Sequence, residues 1–146
     1  MPTRRICGDN ACYLMLAGRQ LFAVIFIIAS AGHFSSGTIA SAALHGVPMA
    51  GLLVPLSGLI ALAGGLSVLF GFHARLGAGL LVLFLVPVTV IMHNFWAMSD
   101  PTSYQIQLTL FIRNLLLLGG ALCIACYGAG ALSLDALMTR RMAEAA

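Results

Sequence analysis

The 146-residue chain has no lysine, and charged residues make up only 8% of it. So few charges exclude an ordinary water-soluble surface, which carries about a quarter to a third of its residues as Lys, Arg, Glu and Asp. They also exclude nucleic acid as a partner, because the net charge of +3 comes from arginines scattered along the chain and not from a basic patch with interleaved aromatics. What fills the chain instead is apolar: 61% of its residues, with a mean hydropathy of +1.05. That composition is the mark of a membrane protein, with lipid as its first partner.

Crossing about 30 Å of hydrocarbon takes roughly 20 mostly apolar residues as a helix. Four such runs are present, near residues 13–34, 47–71, 76–96 and 106–127, with short breaks between them. They predict an all-α, integral membrane four-helix bundle of up-down-up-down topology, a single domain over 1–146 without a water-soluble enzyme module. The apolar part of the first run follows Arg19 and lacks a small-residue cleavage site, so it reads as a retained span and not as a signal peptide. Arg4, Arg5 and Arg19 flank the first span, Arg75 separates the second from the third, and Arg140 and Arg141 follow the fourth. Ser35 to Gly46 and Ala97 to Gln105 hold neither Lys nor Arg. Positive flanks stay inside, which predicts both termini on the cytoplasmic side of the membrane.

Between the spans, "GTIASAALHGVP" predicts a short interfacial helix before Pro48, which would sit in the first turn of the second span. "SDPTSY" reads as a turn around Pro101 and "GFHAR" as a tight hairpin. "GAGALSLDALMTRRM" reads as a glycine stop and a short surface helix, with Ser133 as its N-cap and Asp135 in its first turn. Ser57, Ala61 and Gly65 recur at four-residue spacing beside Gly58 and Gly64, and Gly77, Gly119 and Gly120 offer small surfaces to neighbours. Small residues so placed let helices approach closely in lipid. Pro55 and Pro87 lie inside spans, where each removes a backbone hydrogen bond.

Arg113 is the one charge deep inside a span, and Asn114 is next to it. An arginine at mid-membrane costs about 2.5 to 3.5 kcal/mol on insertion scales, so it should face the bundle interior and find partners. Helical side chains tilt toward their own N-terminus. Arg113, on an inward-running helix, therefore leans outward, whereas His33 and His93, at the outer ends of outward-running helices, lean in. Gln105, Thr109 and Arg113 repeat at four-residue spacing, Thr89 lies four residues before His93, and Asn94 follows it. These eight residues predict a polar pocket in the outer half of the bundle. The competing reading is that Arg113 pairs with Asp100 or with backbone carbonyls and only holds the helices together. Trp96 reads as an interfacial belt residue.

Two further patterns bear on chemistry. His33 and His93 have similar depth on different helices, which invites a haem reading. The first and third helices of such a bundle are diagonal, however, and nothing nearby orients the imidazoles, so haem is disfavoured and no metal site is expected. Cys123 and Cys126 form a C-x-x-C pair near the inner end of the fourth span, with Cys7 and Cys12 on the same side. A reducing cytoplasm and the ease with which cysteine packs in helices favour structural thiols over a redox pair or a four-thiolate metal site.

"RQLFAVIFIIASAGHF", "GLIALAGGLSVLFGFHARLGAGLL", "FLVPVTVIMHNFW" and "FIRNLLLLGGAL", closed by "GAGALSLD", together resemble the DoxX family of small four-helix bacterial membrane proteins. The resemblance runs from about Arg19 to Asp135. It includes a basic residue followed by Asn in the last span, matched by Arg113 and Asn114, and a closing pattern matched by Gly128, Gly130, Ser133, Leu134 and Asp135. Many members carry a lysine late in the first span and a glutamate in the second, where this chain has His33 and Ala61, so the charge pair suggested by those members is absent. The resemblance implies a small subunit of a quinone-linked membrane redox system, with other membrane-protein subunits as partners and Arg113 and His93 at a quinone carbonyl. The alternatives are a non-catalytic accessory or assembly subunit of a larger complex and a small-solute transporter.

Overall fold

The computed structural model describes residues 9–145, and every regular element among them is helical. In chain order these are α1 (Asp9–Gly32), α2 (Ser36–Leu44), α3 (Ala50–Phe70), α4 (Ala74–Met92), a 3-10 turn (Phe95–Ala97), α5 (Pro101–Tyr127) and α6 (Leu134–Glu144). Four helices are long and apolar enough to cross a membrane: α1, α3, α4 with its 3-10 extension, and α5. The chain is a multi-pass membrane protein. Because it crosses four times, the start of α1 and the end of α5 lie at one face of the bundle, here termed the α6 end. α2 caps the other.

Local chemistry sets the helix limits. Asp100 N-caps α5 by accepting from the Ser103 backbone N–H at 2.8 Å and from its hydroxyl at 2.9 Å, and Pro101 occupies the first turn, where a missing N–H costs nothing. α5 therefore starts at Pro101, five residues before the apolar run, and "SDPTSY" is its first turn and not a separate loop. The same two bonds hold the Asp100 carboxyl below the usual carboxylate range. Pro48 does not enter α3: the N-cap is Met49, whose left-handed φ of 48° delays the helix to Ala50. α2 forms as the sequence predicts, with the Ser35 hydroxyl accepting from the Thr38 N–H. Its Ala42 packs with Ala50 and Val54 of α3.

Small residues place α3 between two neighbours. A methyl on Gly64 would lie 2.8 Å from the Gly77 carbonyl oxygen on α4, and one on Gly65 would meet Ile27 of α1 at 3.1 Å. Gly58 faces the His33 side chain in the same way, at 2.6 Å. A methyl on Gly120 would lie 2.9 Å from the Phe22 ring, whereas one on Gly119 would meet nothing within 4 Å. α4 then packs along α5. Phe26 of α1 reaches Phe84 of α4 across the bundle, with ring centroids 6.4 Å apart, amid buried Ala61, Leu81 and Ala121. Alanine and glycine dominate these contacts because lipid is as apolar as a leucine core, so close dispersion contact replaces the hydrophobic effect as the cohesive force.

The α6 end is locked by charge. Gly71 ends α3 in the left-handed region (φ 63°), and His73, also left-handed, precedes α4 without a side-chain cap of its own. Asp135 supplies the cap from 62 residues away: its Oδ1 accepts from the His73 N–H at 2.7 Å and its Oδ2 from the Ala74 N–H at 3.0 Å. The Asp135 N–H in turn donates to the Gly71 carbonyl at 2.8 Å. Ser133 N-caps α6 as expected. Arg19, which sequence reasoning treats only as a topology flank, is buried and donates to the Ala129 and Leu132 carbonyls at 2.7 and 2.9 Å.

Candidate functional site

A cavity of about 680 Å³ occupies the α2 half of the bundle, with walls from α1, α2, α3, α4 and α5. Most of its lining is apolar, including Phe26, Ile60, Phe84, Pro87 and Leu117. The polar lining consists of His33, Thr38, Ser57, His93, Arg113 and Asn114. Of the eight residues predicted to form a pocket, the structure thus brings four together: His33, His93, Arg113 and Asn114.

The two imidazoles are held alike. His33 Nδ1 lies 3.0 Å from the Ala29 carbonyl oxygen, and His93 Nδ1 lies 2.9 Å from Gln107 Oε1. Both partners are acceptors, so each Nδ1 carries the hydrogen and each neutral ring keeps an acceptor lone pair on Nε2. His33 also rests edge-on against Phe84, with centroids 5.4 Å apart. Asn114 is 3% exposed, and no hydrogen bond joins its carboxamide to another described residue. The same holds for the Arg113 guanidinium. The Asp100 pairing is not formed: Asp100 caps the start of α5, and Arg113 lies 13 residues further on, about 20 Å along the helix axis at about 1.5 Å per residue.

The other four candidates lie elsewhere. Thr89 is buried and donates to the Leu85 carbonyl at 2.6 Å, a bond internal to α4. Thr109 donates to the Gln105 carbonyl on α5, and both residues are exposed. Asn94 is not in the cavity wall, and its Oδ1 is buried without a partner. The stripe Gln105, Thr109 and Arg113 therefore does not hold one inward face, against expectation: Gln105 and Thr109 are exposed away from the cavity, and of the three only Arg113 reaches its wall. The reason is angular: eight residues advance a helix by about 80° beyond two turns, whereas seven return it to within about 20°. The inward face of α5 instead runs through Gln107, Asn114 and Ala121, and Arg113, about 100° from Asn114, falls at its exposed edge. Sequence reasoning missed Gln107, for which the seven-residue spacing from Asn114 was the available signal, and it missed Thr38 and Ser57 in the cavity wall.

Trp96 is 57% exposed and packs edge-on against Phe95 and Phe111, as an interfacial residue would. Cys123 and Cys126 are exposed free thiols on α5. Cys12 is disulfide-bonded, which differs from the reduced state expected of the N-terminal cysteines, and Cys7 lies outside the described residues. Among the described residues, no group of three His, Cys, Asp or Glu side chains could hold a metal ion.

The DoxX family model matches residues 14–94, more than half of the chain. The chain belongs to the DoxX family. This match holds most of α1, all of α2 to α4 and both cavity histidines, while Arg113, Asn114 and the Asp135 cap lie beyond it. Similarity to individual proteins reaches further. Inner membrane protein YqjF of Escherichia coli K12 is 32% identical over 129 residues, 87% of this chain and 93% of the relative. Inner membrane protein YphA of the same organism is 28% identical over 124 residues, 84% of this chain and 88% of the relative. No solved structure matches the chain. Both relatives are inner-membrane proteins, in keeping with the four apolar spans.

Proposed function

We propose that this DoxX protein is a small membrane subunit that holds a lipid-soluble molecule by its polar head group in the α2-half cavity, with a quinone as ligand and a quinone-linked redox system as setting. The observation that carries this reading is an apolar cavity whose polar lining includes Arg113 and Asn114, neither with a hydrogen-bond partner among the described residues. Arg113 is a fixed donor, and Asn114 can donate or accept. The Nε2 atoms of His33 and His93 are acceptors while neutral. A quinone carbonyl would take hydrogen bonds from Arg113 or Asn114, and a quinol hydroxyl would give one to a histidine. No residue here carries electrons, so the chain positions a redox partner for another subunit. The arginine distribution supports cytoplasmic termini, which would set the cavity in the outer half of the membrane.

A second reading, an accessory subunit without chemistry, draws on α5, where Ile112, Leu115 and Leu116 are 47% to 73% exposed beside Arg113. That face suits a larger membrane partner. The two readings separate on Arg113→Gln, His93→Ala and the double variant, purified in one detergent, with thermal stability and extractable quinone measured on each. Ligand binding predicts folded variants with reduced quinone content and losses that are less than additive, because both side chains hold one head group. Unchanged quinone in all three would refute it.

A further inference from the structure

A second recess, of about 450 Å³, lies at the α6 end and shares no residue with the cavity above. Leu69, Phe70 and Leu137 give it apolar walls, and Phe70 and Leu137 are 57% and 46% exposed. Arg19 of α1 and Arg140 of α6 line it. Arg19 is 6% exposed, with two donors on the carbonyls of Ala129 and Leu132 and its Nε without a partner. Carbonyls fix a guanidinium without neutralising it. Asp135 offsets part of that charge electrostatically, while its two oxygens accept from the His73 and Ala74 amides at the start of α4 and neither bonds Arg19.

We propose that this recess binds the phosphate of an anionic membrane lipid, with Arg140 and Arg19 facing the phosphate and Leu69, Phe70 and Leu137 facing the upper acyl chain. Planar guanidinium groups match phosphate oxygens in pairs. Basic recesses between membrane helices on the cytoplasmic side are suited to lipid head groups, and an amphipathic helix such as α6 lies at the same level. A soluble phosphate would satisfy the arginines equally well but would leave Phe70 and Leu137 uncovered. The exposed apolar wall therefore favours a lipid.

The test uses the full-length protein in detergent, with lipid retention read by native mass spectrometry. Dioleoylphosphatidylglycerol and dioleoylphosphatidylcholine are the probes, and inorganic phosphate at matched concentration forms a third arm. Wild type should retain the phosphatidylglycerol preferentially. Arg140→Gln should lower that retention about fivefold, the equivalent of the roughly 1 kcal/mol one arginine contributes at an anionic surface. Arg141→Gln removes the same charge from the next residue, which does not line the recess, and should leave retention unchanged. Arg140 is on the exposed face of α6, so its replacement spares the fold even if Arg19→Gln does not. Equal retention of the two lipids, or an equal fall in both α6 variants, would overturn the site. Displacement of the lipid by inorganic phosphate would overturn the lipid as ligand in favour of a soluble phosphate.

Discussion

Asp135→Ala is expected to destabilise the whole bundle, although the residue lies outside every membrane span. The carboxylate caps α4 through two backbone amides, and those amides differ. Water can replace the bond to His73, which is exposed. Ala74 is fully buried, so its N–H would be left without an acceptor, at about 1 to 3 kcal/mol. Losing the negative charge at a helix N-terminus adds about 0.3 to 1 kcal/mol. The sum, about 1.5 to 4 kcal/mol, exceeds an ordinary surface substitution. Asp135→Asn keeps one acceptor oxygen and should cost about half as much. Thermal unfolding in a single detergent should therefore rank wild type above Asn above Ala, and amide exchange at His73 and Ala74 should quicken in the same order. An Ala variant as stable as wild type, or unchanged protection of the Ala74 amide, would refute the cross-chain cap.

Three other outcomes follow from the same structure. Gly64→Ala should cost about 1 to 3 kcal/mol in thermal unfolding, because the added methyl meets the Gly77 backbone oxygen and Leu81 at 2.8 Å, while Gly119→Ala, which meets nothing, should be neutral or slightly stabilising. The Asp100 cap on α5 is pH-dependent with a defined sign: its folded pKa lies below the unfolded value of about 3.9, so its contribution is complete above that pH and disappears as pH falls through the folded value. Exchange protection of the Ser103 amide should show this loss in wild type and be absent at all pH values in Asp100→Ala. With cytoplasmic termini, a single cysteine introduced on a cysteine-free background should label from outside at position 100 and not at position 140, and the reverse pattern would invert the topology.

The spans were legible because hydropathy over 20 residues integrates many weak preferences, and an error of one cap residue hardly changes the sum. Their limits were less so. Asp100 and Pro101 read as a turn when hydropathy alone is consulted, yet as N-cap and first-turn residues they start a helix. The cavity was legible in part: the tilt argument brings His33, His93 and Arg113 to one depth, and all three line it. Depth follows from sequence position, but facing depends on accumulated angle, and the four-residue stripe through Gln105, Thr109 and Arg113 drifted out of the interior. Asp135 shows a third kind of shortfall. Its position suggests the first turn of α6, which is correct, but its side chain serves α4, and no local pattern reports a partner 62 residues away.

The two ends of this bundle are built on different terms, and the difference bears on what the cavity can be. At the α6 end, α1 and the chain around α5 are joined by the Arg19 bonds, by Phe22 against Gly120 and by Met15 against Gly130. At the α2 end α1 and α5 lack such links, and the cavity lies between His33 on one and Arg113 and Leu117 on the other. In water such a gap would tend to collapse, since burying its apolar lining would be favourable. In a bilayer that force is missing, because acyl chains solvate leucine and phenylalanine as well as other side chains do. Apolar volume alone therefore does not define a ligand site here, as a lipid tail would fill it. The polar groups make the difference: hydrocarbon cannot satisfy Arg113 or Asn114, whereas the polar head of the proposed ligand would lower the cost of keeping them at that depth.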